Sequence, residues 1–383
     1  MALKVADRGR VPPFIVMDVM RAANEREAAG GDVLHLEVGQ PGTPAPDGVL
    51  AAARAALDGH LIGYTDAMGL PSLRRRIARH YGEWYGCALD PRLVMVTTGS
   101  SAGFLLAFLA AFDPGDRVAL AAPGYPAYRN ILAALGVEPL LLPTEAGHRF
   151  QPTPALLERL PASPNGLIVA SPSNPAGTMV GRAAMQDLVD YCRDAGIRLV
   201  SDEIYHGICF DQPGVSALEL SDDAIVINSF SKYFSMTGWR LGWMVLPEDL
   251  LRPAECLGQN LFISAPCLSQ IAGEAAFDCS AQLDGYVAAY ARNRALLLRE
   301  LPKAGLDRLA PADGAFYIYA DVSALTNDSE DFCRRMLAET GVAATPGIDF
   351  DPDRGRRYLR FSFAGRETVM AEAARRLQDW IKG

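Results

Sequence analysis

The stretch AIVINSFSKYFSMTGWRLGWMVLP, residues 224–247, combines a strand-like pattern with an unusual placement of charge. Its apolar start is typical of a buried strand, and it leads into Ser229, Ser231 and a single lysine, Lys232. The nearest cation downstream is Arg240. Most lysines lie among other charges on a solvated surface, whereas this amine lies in an apolar and hydroxyl-bearing run. The position indicates a reactive amine if other parts of the chain supply the groups that such an amine needs.

The sequence around this stretch alternates between strand-like and helical patterns. Apolar runs rich in β-forming residues precede helical segments three times: LVMVTTG before SSAGFLLAFLAAF, RVALAAPGY before PAYRNILAALG, and GLIVASPSNP before RAAMQDLVDYCRDAG. The runs IRLVSDEIY, AIVINSFSK and RLGWMVLP follow. This rhythm predicts an α/β domain with a mostly parallel sheet. Strands that are apolar on both faces indicate that helices cover both sides of the sheet.

The pattern changes near residue 280. The segment DGYVAAYARNRALLLRELPKAG predicts one long amphipathic helix that ends near Gly305. A strand AFYIYADV, a helix SEDFCRRMLAETG, a strand RRYLRFSFAG and a final helix ETVMAEAARRLQDWIKG follow. We therefore predict a large α/β domain over residues 45–280 and a smaller α+β domain over 281–383. Residues 1–44 are predicted to pack on the smaller domain.

Composition narrows the class of protein. The 383 residues are 50% hydrophobic and 21% charged, which is typical of a globular protein, and the net charge is −9. Without a basic run, nucleic acid and anionic membranes are poor candidate partners. The longest apolar runs are too short to cross a bilayer, and the N-terminal residues lack a secretory pattern, so we predict a cytoplasmic protein. Seven scattered cysteines and five histidines without metal-binding spacing predict reduced thiols and no metal site.

Polar residues gather where the predicted strands end. Ligands of open parallel sheets bind beyond the carboxyl ends of the strands, so residues that follow different strands are expected to lie close together. Five strand-like runs end in this way, and the residues that follow them are Ser100 and Ser101, Tyr125, Asn174, Asp202 and Tyr205, and Ser229, Ser231 and Lys232. Chance explains complementary polar groups at five strand ends less readily than a polar group at one strand end.

Two of these groups could bind a phosphate. The run Gly99–Gly103, GSSAG, offers backbone N–H groups at a helix start, although by itself it is better explained as an ordinary helix cap. Arg240 could pair with the same phosphate, with hydroxyls of Ser229 and Ser231 donating to it. The alternative is that Arg240 is a surface arginine, and the sequence around it favours neither interpretation.

The remaining strand-end residues could hold an aromatic ring. Asp202 closes an apolar run, so its carboxylate is expected to be half-buried and to need a cation such as a protonated ring nitrogen, unless it caps a turn. Tyr125 could stack on a ring, although a single aromatic residue more often serves in packing. Tyr205 and Asn174 could donate to a ring oxygen or satisfy loop backbone. Together with an amine, these groups suit a phosphorylated pyridine aldehyde, with Lys232 as its carbonyl-binding nucleophile.

Six motifs together resemble one enzyme family. They are SFSKYFSMTGWRLGW, SPSNPAGTM, SDEIYHGI, GYTDAMGLPSLR, LEVGQP and YLRFSF, and they span roughly residues 12–366 in the family's order. The chain is similar to the class I/II aminotransferases, the aspartate-aminotransferase-like pyridoxal-phosphate enzymes of fold type I. The resemblance implies a large domain with a mostly parallel, seven-stranded sheet flanked by helices, plus a smaller α+β domain. It also implies transamination between an L-amino acid and a 2-oxo acid.

The resemblance implies roles for the residues that bind the cofactor ring. Lys232 would form a Schiff base with pyridoxal 5'-phosphate and move the proton between the substrate Cα and the cofactor. Asp202 would pair with the pyridinium nitrogen. Asn174 and Tyr205 would contact the ring oxygen, and Tyr205 is counted with Lys232 and Asp202 as catalytic. Tyr125 would stack on the ring, where many relatives have tryptophan or phenylalanine.

The resemblance also implies which residues bind the phosphate and the substrate. The phosphate would be held by Ser101, Ala102, Ser229 and Arg240. Tyr64 would reach the phosphate of a neighbouring subunit, which implies a homodimer. The substrate α-carboxylate would bind to Arg360, helped by Asn174 and the backbone of Gly39.

Three other functions were weighed against transamination. GSSAG fits the Gly-x-Ser-x-Gly elbow of a serine hydrolase with Ser101 as nucleophile, but only His148 and His206 follow it and neither is near the C-terminus. A pyridoxal-phosphate β-lyase or related Cα-eliminating enzyme would share the lysine, aspartate and arginine, and the motifs do not separate it from a transaminase. A transcription regulator built on this fold would need a DNA-binding domain, for which this acidic chain has no room. The motifs leave the amino donor open.

Overall fold

The computed structural model describes residues 3–59 and 61–383 of the chain. Thirteen strands lie in this part: β1 Leu34–His35, β2 Val94–Thr97, β3 Arg117–Ala122, β4 Glu138–Pro143, β5 Gly166–Ala170, β6 Arg198–Asp202, β7 Ile225–Ser229, β8 Gly242–Val245, β9 Arg308–Leu309, β10 Tyr317–Asp321, β11 Val342–Ala343, β12 Thr345–Pro346 and β13 Tyr358–Ser362. Twelve α-helices separate them: α1 Ile15–Ala28, α2 Asp47–Gly59, α3 Pro71–Tyr85, α4 Gly99–Ala111, α5 Pro126–Leu135, α6 Pro154–Leu157, α7 Arg182–Ala195, α8 Glu248–Leu261, α9 Cys267–Ala276, α10 Ser280–Glu300, α11 Ser329–Thr340 and α12 Glu367–Lys382.

A seven-stranded sheet has the order β2-β8-β7-β6-β5-β3-β4. Strand β8 runs antiparallel to both of its neighbours, and the other pairs are parallel. The predicted α/β class with a mostly parallel sheet is therefore confirmed. Because β2 and β7 flank the reversed strand, their carboxyl ends still lie at the same edge of the sheet as those of β3, β5 and β6.

The apolar strands bury both faces of this sheet, as their composition predicts. Along β7, Val226 packs into one hydrophobic cluster, whereas Ile225 and Ile227 pack into another on the opposite face. Alternate side chains of a strand point to opposite faces, so a strand covered by helices on both sides needs apolar residues at every position. The loop that carries Lys232 therefore follows a strand that is packed on both faces.

The C-terminal part contains a four-stranded sheet, β12-β13-β10-β9, with antiparallel pairing. Helix α11 contacts β12 and β13, α12 contacts α11, and α10 contacts α12, so the predicted smaller α+β unit is confirmed. Strand β1 pairs in parallel with β11, and α1 contacts β11 and β12. These contacts link the N-terminal segment to the C-terminal sheet. The domain boundary near residue 280 stays a prediction, and α10 begins at that residue.

The long helix α10 ends earlier than the sequence pattern suggests. Its α-helical part stops at Glu300, and a 3-10 turn over Leu301–Ala304 leads to Gly305 at φ 85°. Pro302 has no backbone N–H to continue the α-helical ladder, which accounts for the tighter last turn. None of the helices in the described ranges is long and apolar enough to cross a membrane.

Candidate active site

The strand-end residues surround one cavity of about 540 Å3 at the carboxyl edge of the seven-stranded sheet. Eleven of the residues singled out from the sequence line it: Gly39, Ser100, Ser101, Tyr125, Asn174, Asp202, Tyr205, Ser231, Lys232, Arg240 and Arg360. Ala102, Ser229 and Tyr64 do not line it. The cavity also takes residues from α1, so it lies between the large sheet, the small sheet and the N-terminal segment.

Lys232 lies in the loop that follows β7, and its amine points into the cavity. The Nζ donates to the backbone oxygen of Gly39 at 2.6 Å. Burial lowers the pKa of Lys232 to about 8, and the nearby cations Arg360 and Arg240 add to this effect, while Asp202 opposes it. About a tenth of the amines are therefore neutral at pH 7, compared with about one in several thousand for an ordinary lysine. A neutral amine can act as a nucleophile or a base.

Asp202 ends β6 and is only 3% exposed. One carboxylate oxygen accepts from the Tyr128 hydroxyl, and the other accepts from the Ile204 amide at 3.1 Å. Burial raises the pKa of Asp202 to about 6, whereas these two hydrogen bonds and the charge of Lys232 act in the opposite direction. Most of the carboxylates are ionised at neutral pH, yet no lysine, arginine or histidine in the described chain forms an ion pair with this one.

The first turn of α4 and Arg240 form a cationic corner of the cavity. The residue before α4, Thr98, does not cap the helix with its side chain, so the first amides are free to bind an anion. Gly99 has φ 73°, and a Cβ at this position would lie 2.5 Å from Arg240 Nη2. Glycine thus lets the guanidinium lie directly against the helix start. Backbone amides and a guanidinium together suit a phosphate.

Two predicted phosphate residues lie behind this corner. Ser229 is buried, and its hydroxyl lies 2.9 Å from Ser231 Oγ and 3.2 Å from the Leu241 carbonyl oxygen, either of which can accept its single proton. Ser231 lines the cavity in its place. Ala102 is buried in the first turn of α4, where only its backbone could serve an anion. Ser229 can therefore reach the corner only by positioning Ser231.

Arg360 is 2% exposed on β13 and forms no ion pair with any described residue. Its Nη1 donates to Asn174 Oδ1 at 2.8 Å, its Nη2 donates to the Glu37 carbonyl oxygen and to Thr345 Oγ1, and its Nε has no partner. The guanidinium lies 4.4 Å from the ring centre of Tyr317. A buried guanidinium that lacks a carboxylate is suited to bind one from a ligand.

Two tyrosines close the floor of the cavity. The hydroxyls of Tyr205 and Tyr317 are 2.6 Å apart. Burial raises the pKa of both, so both remain protonated donors at neutral pH. A Cβ at Gly39 would lie 2.0 Å from Tyr317 Oη, so a side chain at that position would displace this hydroxyl. Tyr125 lies on the opposite wall, edge-on to Phe14 with ring centres 5.7 Å apart.

Several lining residues were not found from the sequence. Tyr128 follows Tyr125 by three residues in the first turn of α5, and that spacing could have placed it on the same side of the helix as Tyr125. Tyr317 lies on β10 opposite Ser362, and no local pattern brings it to the cavity. Phe14, Val16 and Met17 likewise line the cavity only because distant segments meet there. Thr237 also lines it, and it lies between Lys232 and Arg240 in the same motif.

The groups around the cavity fit a phosphorylated pyridine aldehyde. The corner at Gly99 presents amides and a guanidinium for the phosphate, and the unpartnered Nε of Arg360 is left for a carboxylate. Asp202 and Lys232 supply a buried acid and a buried amine on the same cavity. No group of three or more histidine, cysteine, aspartate or glutamate side chains within residues 3–59 and 61–383 is placed to hold a metal ion.

A serine hydrolase does not fit this geometry. Ser101 lines the cavity, but no histidine does among the described residues. His206 is buried elsewhere, with its Nδ1 2.7 Å from the Tyr85 hydroxyl, and burial lowers its pKa to about 4. Ser101 therefore lacks the base that a nucleophilic serine needs.

Known proteins are similar to this chain over its whole length. The profile of the family "Aminotransferase class I and II" matches residues 31–377. A valine–pyruvate aminotransferase of Mycobacterium tuberculosis is 51% identical, with 99% of this chain and 98% of that protein covered. The crystal structure of an aminotransferase from Mycobacterium tuberculosis has a TM-score of 0.98 at 50% identity and 100% coverage of both chains. Aspartate aminotransferase from Thermus thermophilus with maleate has a TM-score of 0.94 at 28% identity, with 99% and 100% covered.

Proposed function

The chain belongs to the class I and II aminotransferases, and we propose that it binds pyridoxal 5'-phosphate in the cavity described above and uses it to move an amino group between an apolar L-amino acid and a 2-oxo acid. One observation carries the proposal. Lys232, Asp202 and Arg360 all face one cavity, and none of them forms an ion pair within the described chain. Buried charges without partners are costly, so a ligand with matching groups is expected.

The cofactor and the chain divide the chemistry between them. When bound, pyridoxal phosphate supplies an electron-poor ring that accepts the electron pair left when a proton leaves the substrate Cα. Asp202 would hold a proton on the ring nitrogen, which keeps the ring electron-poor. Lys232 would hold the carbonyl carbon of the cofactor through its amine, and as a free amine it would move the proton at the substrate Cα.

The other residues would bind and orient the cofactor and the substrate. Arg240 and the first turn of α4 would hold the phosphate, with Ser231 as a further hydroxyl donor. Tyr205 and Asn174 would donate to the ring oxygen, and Tyr125 would cover one face of the ring. Arg360 would bind the substrate carboxylate, which places the Cα hydrogen near Lys232.

The proposed substrate class rests on the remaining wall of the cavity. Phe14, Val16, Met17 and Val38 present apolar side chains there. The cationic lining residues of the described chain are those assigned above to the cofactor or the α-carboxylate, which leaves none for a side-chain carboxylate. The 51% identical relative is named a valine–pyruvate aminotransferase, which supports the same class.

Single-turnover spectroscopy of the cofactor tests this function. We expect L-valine and L-alanine to convert the loaded enzyme to its amine form at least about tenfold faster than L-aspartate does, because an uncompensated carboxylate against an apolar wall costs more than that factor. A fastest reaction with L-aspartate would contradict the substrate class. A β-lyase would instead release pyruvate from an S-alkylcysteine without forming the amine form, and that result would contradict transamination.

Replacing Arg360 with lysine should weaken every substrate that has an α-carboxylate. The planar guanidinium can donate two parallel hydrogen bonds to a carboxylate, and an ammonium group cannot reproduce that geometry. We expect kcat/KM for valine to fall by the factor that corresponds to a loss of roughly 2–4 kcal/mol in transition-state stabilisation. The measurement compares L-valine with isobutylamine, its decarboxylated amine, in both proteins.

The control for Arg360→Lys is Arg357→Lys, an exposed arginine just before the same strand. It should leave both reactions near the wild-type rate. Isobutylamine should lose little activity in Arg360→Lys or be relatively favoured. Equal losses for valine and isobutylamine would mean that Arg360 acts on the fold or the cofactor and not on the carboxylate.

We further propose a homodimer in which Tyr64 completes the phosphate site of the neighbouring subunit. Tyr64 is 84% exposed and lies outside the cavity of its own chain. Leu61, Leu261 and Ile263 are also exposed apolar residues, and the Thr65 amide donates to Ser264 Oγ at 3.3 Å, which joins the two segments. An exposed apolar surface of this kind suits contact with a second copy.

Subunit mixing tests the shared site. Lys232→Ala and Tyr64→Ala homodimers should each be impaired, whereas a mixed dimer has one site with both residues intact. We expect each mixed dimer to have up to about half the activity of a wild-type dimer, because one of its two sites is intact. The measurement is activity after subunit exchange. Mixing Lys232→Ala with itself is the control. No recovery in proven heterodimers, or a monomer in solution, would contradict the shared site.

A further inference from the structure

The start of α1 forms part of the cavity wall. Phe14 and Val16 line the cavity, and Met17 lies at its more exposed side. Phe14 also contacts the ring of Tyr125, another lining residue. These side chains reach the cavity only while the start of α1 is held in place, so the anchor of that helix matters for the shape of the site.

A residue from the far end of the chain provides the anchor. The position before α1 is Phe14, whose side chain cannot accept a hydrogen bond from the helix. The amides of Ile15 and Val16 instead donate to the two carboxylate oxygens of Asp349, at 3.1 and 3.2 Å. A carboxylate satisfies the free amides at a helix N-terminus and interacts favourably with the helix dipole.

Apart from its contact with α1, little explains why the Asp349 side chain is buried. It has 0% exposure, and its carboxylate forms no ion pair within the described ranges. Burial raises the pKa of Asp349, while the amides of Val16 and Ile15 and the charges of Arg360 and Arg129 oppose that rise. The start of α1 is therefore the direct partner of this carboxylate, and removing the carboxylate would leave two amides without an acceptor.

The backbone on either side of this carboxylate is fixed to the rest of the site. Arg129 Nη2 donates to the Asp349 carbonyl oxygen at 2.6 Å, and the Gly124 amide donates to the Phe350 carbonyl oxygen at 3.0 Å. The Phe350 ring lies 4.8 Å from the guanidinium of Arg360. One short segment thus contacts the substrate arginine and the loop before Tyr125, and it anchors the apolar wall.

We propose that Asp349 is a positioning residue that sets the acceptance of larger apolar side chains by holding the first turn of α1 against the cavity. The inference rests on the proposed function. A bulky side chain gains from burial against Phe14 and Val16, whereas the methyl group of alanine has little surface to bury there. Loosening the wall should therefore penalise valine and leucine and leave alanine almost unchanged.

The test compares Asp349→Ala and Asp349→Asn with Asp353→Ala in the full-length enzyme. Asp353 is an exposed residue of the same segment whose side chain has no partner among the described residues, so it is a matched control. In Asp349→Ala we expect kcat/KM for valine to fall about tenfold, mostly through KM, and kcat/KM for alanine to fall less than about twofold. The tenfold change corresponds to about 1.4 kcal/mol. The kcat/KM of Asp349→Asn for valine should lie between the values for Asp349→Ala and the wild type.

Hydrogen exchange provides a readout that does not depend on activity. The Ile15 and Val16 amides should exchange at least about tenfold faster in Asp349→Ala than in the wild type or Asp353→Ala. Unchanged exchange would overturn the anchor, and equal losses for valine and alanine would overturn its role in selectivity. If Asp349→Ala does not fold, Asp349→Asn decides by the same two measurements. A wild type that transaminates neither amino acid would instead overturn the proposed function.

Discussion

The Lys232→Ala protein will lose transamination by about four orders of magnitude or more, and borohydride will no longer fix pyridoxal phosphate to the chain. Lys232 supplies the amine that lines the cavity, and its Nζ lies 2.6 Å from the Gly39 carbonyl oxygen. The substitution removes both the nucleophile and the proton-transfer group. Mass spectrometry after borohydride treatment measures the attachment, and single-turnover rates measure the chemistry.

The sequence offers an unusually sharp control for this prediction. It contains only four lysines, and the other three are Lys4, Lys303 and Lys382. A protein with these three changed to arginine keeps Lys232 as its sole lysine and should keep both attachment and activity. Attachment that survives in Lys232→Ala, or that fails in the single-lysine protein, would contradict the assignment.

The lowered pKa of Lys232 adds a pH dependence with a definite sign. An amine attacks a carbonyl only when neutral, and burial brings the pKa of this amine to about 8. The rate at which the cofactor attaches to the cofactor-free protein should therefore rise about tenfold per pH unit below pH 8 and level off above it. A rate that keeps rising beyond pH 10 would indicate an amine with the pKa of an ordinary exposed lysine.

The position of Lys232 near Asp202 and Asn174 could be predicted from sequence because the carboxyl ends of parallel strands meet at one edge. Each residue follows a short apolar run, and β5, β6 and β7 are neighbours in the sheet. Local patterns of this kind specify the strands, and the topology then brings their ends together. The fold class was predictable for the same reason.

Other parts of the site depend on contacts that no local pattern encodes. The Tyr317 hydroxyl meets Tyr205 across 112 positions, and the Asp349 carboxylate meets Val16 across 333. Their partners are fixed by the packing of α1 and the small sheet, which follows from the whole fold. The role of Tyr64 depends on a second copy of the chain, so it stays a prediction. The helical run ends at Gly305 as predicted, but its last turn is 3-10 and not α-helical, because Pro302 tightens it.

The Asp202→Ala protein should bind the cofactor and yet remove the substrate Cα proton about two to four orders of magnitude more slowly. The carboxylate is buried at the end of β6 with donors from Tyr128 and Ile204, and it would hold a proton on the ring nitrogen. Without that charge the ring accepts electrons poorly. The size follows from the loss of one buried charge pair, about 3–5 kcal/mol, at roughly 1.4 kcal/mol per tenfold in rate.

Tyr128→Phe separates the charge of Asp202 from its orientation. This variant removes one donor to the carboxylate and leaves the carboxylate itself, so we expect a loss of about tenfold, in line with one hydrogen bond to a charged group. Cα-deuterated valine should show a larger isotope effect in Asp202→Ala than in the wild type, because proton removal becomes the slow step. Cofactor absorbance and melting temperature confirm that each protein is loaded and folded. If loaded Asp202→Ala transaminates near the wild-type rate, Asp202 does not act on the ring nitrogen.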